Sequence, residues 1–196
     1  MYRSFGKRGL DLAASLVGLI ILTPVLIIIA LFVKLSSKGP VLYVQERLGR
    51  QFKPFNMIKF RSMVVNQSEQ HSLVTAKSDE RITAIGVVLR RYKLDELPQL
   101  INVLKGDMSL VGPRPEVSRY ANHYLKDYEV ILSILPGITD NAAIEFKHEE
   151  VLLSKFDDKE TAYIQSILPK KIKLYKKYIE SVTLLNDLKL IFKTIF

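Results

Sequence analysis

Residues 12–33 read LAASLVGLIILTPVLIIIALFV, a run of 22 residues without one charged side chain. As a single α-helix the run would be about 33 Å long, enough to cross a hydrocarbon core of about 30 Å. A buried helix of a soluble protein would show a polar face, whereas this run is interrupted only by Ser15, Gly18, Thr23 and Pro24. We expect membrane insertion rather than a cleaved signal peptide, because the run is long and no small-residue cleavage site follows it.

Two features predict how the run sits in the membrane. Pro24 has no N–H and crowds the carbonyl of Ile20, so a helix break is predicted there, and the Thr23 hydroxyl can bond a freed carbonyl. Basic residues flank the run on both sides: Arg3, Lys7 and Arg8 before it, and Lys34, Lys38, Arg47 and Arg50 after it. Basic flanks prefer the cytoplasmic side of a membrane, and a re-entrant helix places both flanks there. It is therefore favoured over the alternative, a single span in which Pro24 does not change the path of the helix.

The composition narrows the classes of function. The chain has 196 residues, 48% of them hydrophobic, so it can bury a core and extensive disorder is not expected. There are 29 Lys and Arg against 20 Asp and Glu, and this net charge of +9 favours nucleic acid, an anionic membrane surface or a phosphorylated substrate as partner. The absence of Cys excludes disulfides and thiol nucleophiles, and the three His residues show no metal-ligand spacing.

The chain divides into a membrane segment, residues 1–38, and a body, residues 39–196, that is predicted to carry the chemistry. In the body, residues 41–45 and 55–60 flank a turn and predict a β-hairpin, and the polar residues 66–80 predict a loop. Helices are expected over 82–92, 94–106, 117–135 and the C-terminal third. Five lysines at positions 170, 171, 173, 176 and 177 indicate either a solvated helix face or a helix lying on anionic head groups.

Two adjacent carboxylates, Asp95 and Glu96, are the sharpest candidate site. Capping of the predicted helix 94–106 would by itself explain them. Basic residues at positions 59, 61, 90, 91, 93, 105 and 114 could surround the pair, however, and phosphoryl transfer needs carboxylates among cations. Mg²⁺ takes one or two carboxylates plus phosphate oxygens, Arg clamps phosphate, and an Asp can attack phosphorus. We expect the nearby cations to lower the pKa of Asp95 and keep it ionised.

Three motifs carry a resemblance to a known family. KFRSM (59–63), LDELPQL (94–100) and GDMSLVGPRP (106–115) resemble the bacterial sugar transferase family, the small monotopic phosphoglycosyl transferases that begin glycan assembly on polyprenyl phosphate. The likeness runs from residue 7 to residue 139 and returns at 187–189 and 193–194. The order and spacing of three long motifs make it specific, whereas an isolated Asp-Glu pair would be a weak signal.

The resemblance implies an irregular, helix-rich α/β fold with a re-entrant N-terminal helix broken at Thr23 and Pro24, a small hairpin, and amphipathic helices at the membrane surface. It implies that Asp95 and Glu96 form the catalytic dyad. Asp95 would attack the β-phosphate of a UDP-sugar, release UMP and pass the phosphosugar to undecaprenyl phosphate, while Glu96 holds Mg²⁺. The residues that would contact phosphates or support the dyad are Lys59, Arg61, Arg90 and Arg114.

The resemblance also implies a place in the cell. It points to the inner membrane of a bacterium, with the body on the cytoplasmic face, no nucleic-acid partner, and downstream glycosyltransferases that take the product; a homodimer is left open. Residues 140–150, DNAAIEFKHEE, depart from the family's usual Gly-Trp and Gly-Arg pattern, so the sugar is not predicted. Two other functions stay open, a catalytically inactive membrane scaffold of a glycan-assembly complex and a membrane-tethered polyanion-binding protein.

Overall fold

The N-terminal segment forms one long helix, α1 (Lys7–Ser36), in the computed structural model, which describes residues 2–64 and 79–195. By length and composition α1 could cross a membrane. The backbone stays helical through Pro24, and the bend of the helix predicted there stays a prediction. The Thr23 hydroxyl donates to the Leu19 carbonyl at 2.7 Å, not to the Ile20 carbonyl that Pro24 leaves without a donor, because a hydroxyl reaches back four residues. The re-entrant path stays a prediction.

The body is rich in helices and contains two small sheets, as the predicted fold class requires. Strands β1 (Leu42–Leu48) and β2 (Pro54–Phe60) form the predicted antiparallel hairpin, and β3 (Ser109–Val111) pairs in parallel with β4 (Gly137–Thr139). The helices of the body are α2 (Ala84–Arg91), α3 (Gln99–Lys105), α4 (Ser118–Ala121), α5 (Leu125–Ile131), α6 (Asn141–Glu145), α7 (Glu149–Leu153), α8 (Lys159–Ala162), α9 (Leu168–Glu180) and α10 (Leu184–Ile195). Short 3₁₀ turns lie at Arg50–Phe52, Leu94–Glu96 and Asn122–Tyr124, and π turns at Tyr2–Gly6 and Tyr163–Ile167.

Two predicted helices are shorter than the sequence pattern indicated. The helix expected over 94–106 begins only at Gln99, after Pro98, and it ends as predicted at Gly106, whose φ of 94° suits glycine. The helix expected over 117–135 is divided into α4 and α5 by a 3₁₀ turn and ends at Ile131. Most of the predicted loop, residues 66–78, lies outside the described residues.

Specific contacts fasten the start of α1 to the body. Lys7 pairs with Asp187 of α10 at 2.6 Å, and the Arg8 guanidinium donates to two carbonyls in the last turn of α3, at 2.7 and 3.2 Å. The Asp11 carboxylate accepts the backbone N–H of Leu110 in β3 at 3.1 Å. Residues that the sequence presented as general basic flanks therefore have individual partners.

One face of α1 packs against the body along the length of the helix. Ser15 is fully buried, and a Cβ on Gly18 would lie 3.6 Å from the Leu100 side chain of α3. Ile29 and Val33 are buried in a small cluster with Phe60 of β2 and Leu89 of α2. On the opposite face of α1, large apolar side chains are more than half exposed, among them Leu16, Val17, Ile20, Ile21, Ile27, Ile28, Leu31 and Phe32. The helix thus lies along the body with both ends held and an apolar surface left uncovered.

The main core lies in the C-terminal half of the chain and includes the apolar side of the lysine-rich helix α9. The apolar side of α9, with Leu168, Ile172 and Tyr175, is buried against residues such as Tyr128 of α5. Lys171 is buried and pairs with Glu149, and Lys176 pairs with Asp127, while lysines 170, 173 and 177 are exposed. A head-group role for α9 stays a prediction, and only its exposed lysines could fill it, because its apolar side is used inside the protein.

Candidate active site

The two candidate carboxylates lie in the 3₁₀ turn Leu94–Glu96, between α2 and α3. The turn follows Lys93, which has a left-handed backbone with φ 58°. The predicted N-cap role of Asp95 is wrong, because α3 begins four residues later and Pro98 occupies its N-cap position. Asp95 is 6% and Glu96 8% exposed, so two successive carboxylates are held in the interior, where a charge requires compensation.

Glu96 is compensated by two cations. The Arg114 guanidinium grips both carboxylate oxygens, with Nη1 at 3.2 Å from Oε2 and Nη2 bonded to Oε1, and Lys59 Nζ lies 3.3 Å from Oε1. A bidentate Arg–carboxylate pair of this kind is strong and fixed in direction. Burial opposes ionisation, but the charges of Arg114 and Lys59 outweigh it and hold the pKa of Glu96 well below its usual range.

Asp95 differs from its neighbour in having no such partner. No donor among the described residues hydrogen-bonds to its carboxylate. Burial and the adjacent Glu96 charge raise the pKa of Asp95, although Lys59, Arg90 and Arg114 act to lower it. The prediction that cations would lower the pKa of Asp95 is therefore wrong, because burial has the larger effect and the cations Arg114 and Lys59 are engaged with Glu96.

Lys59 reaches the dyad from the hairpin. It lies next to the end of β2, where it is paired in register with Tyr43 of β1, and its side chain is 17% exposed. Burial lowers the pKa of Lys59 to about 8, against the opposing attraction of Glu96. The group is thus a cation that titrates close to neutral pH.

Arg114 reaches the dyad from a tight crossing of two chain segments. Gly112 N–H donates to the Thr139 carbonyl at 3.0 Å, and Gly137 N–H donates to the Pro113 carbonyl at 2.9 Å. A Cβ on Gly137 would lie 2.1 Å from the Gly112 nitrogen, so the segments approach as closely as they do only because glycine stands there. In the same segment Pro113 and Pro115 stand on either side of Arg114 and restrict the backbone around it.

Arg90 lies near the dyad but is bonded elsewhere. It is in α2, its charge acts to lower the pKa of Asp95, and its Nη2 is bonded to the Glu150 carboxylate of α7. Sequence reasoning did not single out Glu150. In the sequence, Glu150 stood out only as the last residue of the divergent segment 140–150. The fold brings this residue to Arg90.

Arg61 is not at the dyad. It is 3% exposed and donates to backbone carbonyls at the end of α1, those of Val33, Ser37 and Lys38, at 2.7 to 3.2 Å. These contacts satisfy carbonyls that a helix C-terminus leaves without donors. A phosphate-binding role for Arg61 stays a prediction, and its observed contacts are structural.

The donor set fits Mg²⁺ if substrate oxygens complete it. A carboxylate has about four lone-pair sites, and Glu96 uses three, which leaves one on Oε2, while Asp95 keeps all of its own. The described residues contain no cluster of three or more His, Asp or Glu groups that could hold a metal ion by themselves. Mg²⁺ is commonly bound in this way, through one or two carboxylates plus phosphate.

The chain belongs to the bacterial sugar transferase family, whose family model matches residues 2–196. The match covers the membrane segment and the whole body, so the motif-based resemblance is confirmed.

Several curated proteins are similar to this chain. One from Komagataeibacter xylinus, named undecaprenyl-phosphate glucose phosphotransferase, is 39% identical over 96% of this chain and 35% of its own length. Another, from Escherichia coli K12, named UDP-glucose:undecaprenyl-phosphate glucose-1-phosphate transferase, is 38% identical over 97% of this chain and 39% of its own length. A third, from Bacillus subtilis 168, named putative undecaprenyl-phosphate N-acetylgalactosaminyl 1-phosphate transferase, is 46% identical over 68% of this chain and 70% of its own length. The chain therefore spans little more than a third of the first two relatives.

Proposed function

We propose that the protein transfers a sugar 1-phosphate from a UDP-sugar to undecaprenyl phosphate, with Asp95 as the nucleophile. The relatives' names, which agree on the lipid acceptor and differ in the sugar, support this reaction class. The observation that carries the proposal is the contrast between two neighbouring carboxylates, one paired with Arg114 and Lys59 and one without a hydrogen bond from the described residues. An unbonded carboxylate has its lone pairs available for attack on phosphorus.

The reaction proceeds in two half-reactions. The Asp95 carboxylate attacks the β-phosphorus, an aspartyl O–P bond forms, and the bond between that phosphorus and the bridging oxygen breaks. UMP leaves with the bridging oxygen. A phosphate oxygen of undecaprenyl phosphate then attacks the same phosphorus, and the aspartyl O–P bond breaks, which gives a diphosphate-linked lipid sugar and restores the Asp95 carboxylate. One site serves both substrates in turn, so ping-pong kinetics are expected.

The cations around the dyad supply what this chemistry requires. Arg114 and Lys59 flank the site from two different elements, and Arg90 acts on the charge of Asp95 from a third. Fixed positive groups stabilise negative charge that develops on phosphate oxygens in the transition state. Mg²⁺, when bound, supplies further neutralisation of diphosphate charge, and Glu96 would hold it.

The placement of α1 supports attachment to one face of a membrane. A straight helix across a bilayer has its ends on opposite sides, whereas both ends of α1 contact one body, through Lys7 and Arg8 at one end and Val33 at the other. The exposed apolar face of α1 then lies in lipid. We propose a re-entrant path, with the body on the cytoplasmic face of the inner membrane, where a soluble UDP-sugar and a lipid acceptor both reach Asp95, and with downstream glycosyltransferases as consumers of the product.

The inactive scaffold and the polyanion-binding protein predict a different pattern of mutant effects. A scaffold would gain no adduct with any UDP-sugar. A polyanion-binding protein would tolerate Asp95→Asn and lose function when exposed lysines such as Lys173 and Lys177 are replaced. The arrangement of Glu96 between Arg114 and Lys59, next to an Asp95 that accepts no hydrogen bond from the described residues, favours the transferase, since neither alternative needs two buried carboxylates of this kind.

The test is the intact mass of the detergent-solubilised chain after incubation with single UDP-sugars and Mg²⁺, without undecaprenyl phosphate. We expect a mass gain of one phosphosugar in the wild type and in the surface control Asp157→Asn, and none in Asp95→Asn. The sugar that gives the adduct also identifies the substrate. Mg²⁺ is tested in the same experiment, since EDTA should abolish the adduct.

Two outcomes would contradict the proposal, and the experiment distinguishes between them. If no UDP-sugar gives an adduct or releases UMP, with or without undecaprenyl phosphate, the transferase proposal fails. If UMP appears only when undecaprenyl phosphate is added and no adduct forms, transfer is direct and only the covalent role of Asp95 fails.

A further inference from the structure

A cleft between α6, α9 and α10 lies apart from the dyad. Its volume is about 420 Å³, within the range of about 300–1,000 Å³ that is usual for ligand sites. No residue that lines it is bonded to Asp95, Glu96 or the cations around them. The lining residues are Asn141, Ile144, Glu145, Leu174, Lys177, Ser181, Asn186, Lys189, Leu190 and Lys193.

The cleft carries an excess of positive charge. Lys177 of α9 and Lys189 and Lys193 of α10 converge on it, against one carboxylate, Glu145 of α6. None of the three lysines has an ion-pair partner within the part of the chain that the structure describes, although other lysines of the body are paired, such as Lys171 and Lys176. Three converging ammonium groups without a carboxylate partner favour an anionic ligand.

The surroundings of the cleft indicate a ligand at a membrane surface. On α10, Leu185, Leu188 and Phe192 recur at helical spacing and are 80%, 46% and 62% exposed. Lys189 and Lys193 border this apolar face, which gives the charge and apolar pattern of a helix at the head-group level. The same helix is fastened to the start of α1 by the Lys7–Asp187 ion pair, so α10 lies where the apolar helix begins.

We propose that this cleft binds the phosphate head group of an anionic phospholipid. The lysines and the side-chain amide of Asn141 would donate to the phosphate oxygens, and the acyl chains would lie along the apolar face of α10. The site is separate from the acceptor site, because undecaprenyl phosphate has to reach Asp95 and no lining residue is part of that machinery. The inference does not depend on Asp95 being the nucleophile.

The experiment measures lipid binding to the detergent-solubilised full chain by native mass spectrometry. The probes are phosphatidylglycerol, phosphatidylcholine, undecaprenyl phosphate and inorganic phosphate. We expect Lys177→Gln/Lys189→Gln/Lys193→Gln to weaken the tightest phosphatidylglycerol site by about 100-fold, since each lysine near an anionic lipid contributes about a fivefold factor. The matched control, Lys126→Gln/Lys147→Gln/Lys155→Gln, removes three exposed lysines elsewhere and should bind like the wild type.

A second substitution is expected to change the affinity for phosphatidylglycerol in the opposite direction. Glu145→Gln removes the carboxylate of the cleft and should tighten phosphatidylglycerol binding by about two- to fivefold, whereas Glu129→Gln, an exposed acid outside the cleft, should leave it unchanged. Unchanged thermal unfolding of each variant without lipid shows that the fold is intact.

Three outcomes would overturn the inference. Equal loss in both lysine variants would mean that binding follows net charge alone. Competition by millimolar inorganic phosphate would identify a site for soluble anions, and tight binding of undecaprenyl phosphate with none of phosphatidylglycerol would identify an acceptor site.

Discussion

Two sites in this protein contain buried carboxylates close to basic side chains, but the carboxylates differ in whether hydrogen bonds and ion pairs compensate their charge. At the dyad, Glu96 is held by Arg114 and Lys59, while its neighbour Asp95 accepts no hydrogen bond from the described residues. At the other site, Asp187 of α10 is 1% exposed. Its Oδ2 accepts from Lys7 at 2.6 Å and from Tyr2 at 2.7 Å, and its Oδ1 accepts from Tyr178 at 2.8 Å.

The difference separates a chemical role from a structural one. Three donors bond the two oxygens of Asp187 and join α10, the start of α1 and α9, and at 1% exposure the carboxylate lies out of reach of a substrate. Asp95 bears the cost of burial without that compensation, which raises its pKa. A buried charge that is left incompletely paired is costly, and such sites cluster where chemistry occurs.

The largest effect is expected at Asp95. Asp95→Asn should reduce sugar-phosphate transfer by about 10³-fold or more, because the nucleophile is lost. Its free energy of unfolding at pH 7 should be unchanged or higher. Because its pKa is raised, the ionised Asp95 side chain destabilises the folded state at a pH above that pKa. Asn carries no charge, so the substitution removes this cost. Radiochemical transfer assays and urea unfolding measure the two quantities, and a large loss of stability would contradict the contrast.

Asp187→Asn should show the opposite balance. Removal of the charge leaves Lys7 unpaired at the start of α1, and we expect a loss of about 3 kcal/mol in the free energy of unfolding. Activity per folded molecule should fall by less than about tenfold, since no reacting group is removed. Urea unfolding in detergent, with the surface change Asp157→Asn as reference, checks this prediction. Wild-type stability together with lost turnover would assign Asp187 to the chemistry.

The pH dependence of the dyad should report on Lys59. Its pKa is lowered to about 8 by burial, so its charge is lost as the pH rises through that value. We expect kcat/KM for the UDP-sugar to fall above about pH 8, by up to about tenfold per pH unit. In Lys59→Arg the fall should move to higher pH, because a guanidinium stays protonated above pH 12. The exposed control Lys53→Arg should keep the wild-type profile, and an unchanged profile in Lys59→Arg would exclude this assignment.

The smallest effect is expected at Glu150, outside the dyad. It is bonded to Arg90, and that bond has to be exchanged if Arg90 is to hold a substrate phosphate. Glu150→Gln should lower KM for the UDP-sugar by about two- to fivefold with kcat unchanged, as expected for a partly exposed pair. Steady-state kinetics with Glu129→Gln as control test this. A higher KM would mean that Glu150 itself helps to bind the substrate.

Local sequence signals predicted the elements that depend on short-range chemistry. The hairpin followed from alternating strands around a turn, and the end of α3 followed from Gly106. The identity of the dyad and of Lys59 and Arg114 came from the three motifs, and the fold brings these four residues together. Arg90 lies near the dyad with Glu150 as its partner, and Arg61 lies at the end of α1 instead.

Long-range contacts explain the predictions that were wrong. The pKa of Asp95 rises because the fold buries it and directs Arg114 and Lys59 to Glu96, and no spacing in the chain indicates which carboxylate the cations will choose. The lysines of α9 appeared to be one basic face, but Lys171 and Lys176 have partners far away in sequence.

The sequence by itself determined the long apolar helix, the positive charge, the absence of thiol chemistry and the family, because these depend on composition and on contiguous motifs. Only the tertiary structure decided that both ends of α1 are held by one body and that Glu96 is paired while Asp95 is not. It also brought Lys177, Lys189 and Lys193 into one cleft. Each of these depends on groups distant in the chain, whose pairing is set by packing and by the cost of burying charge.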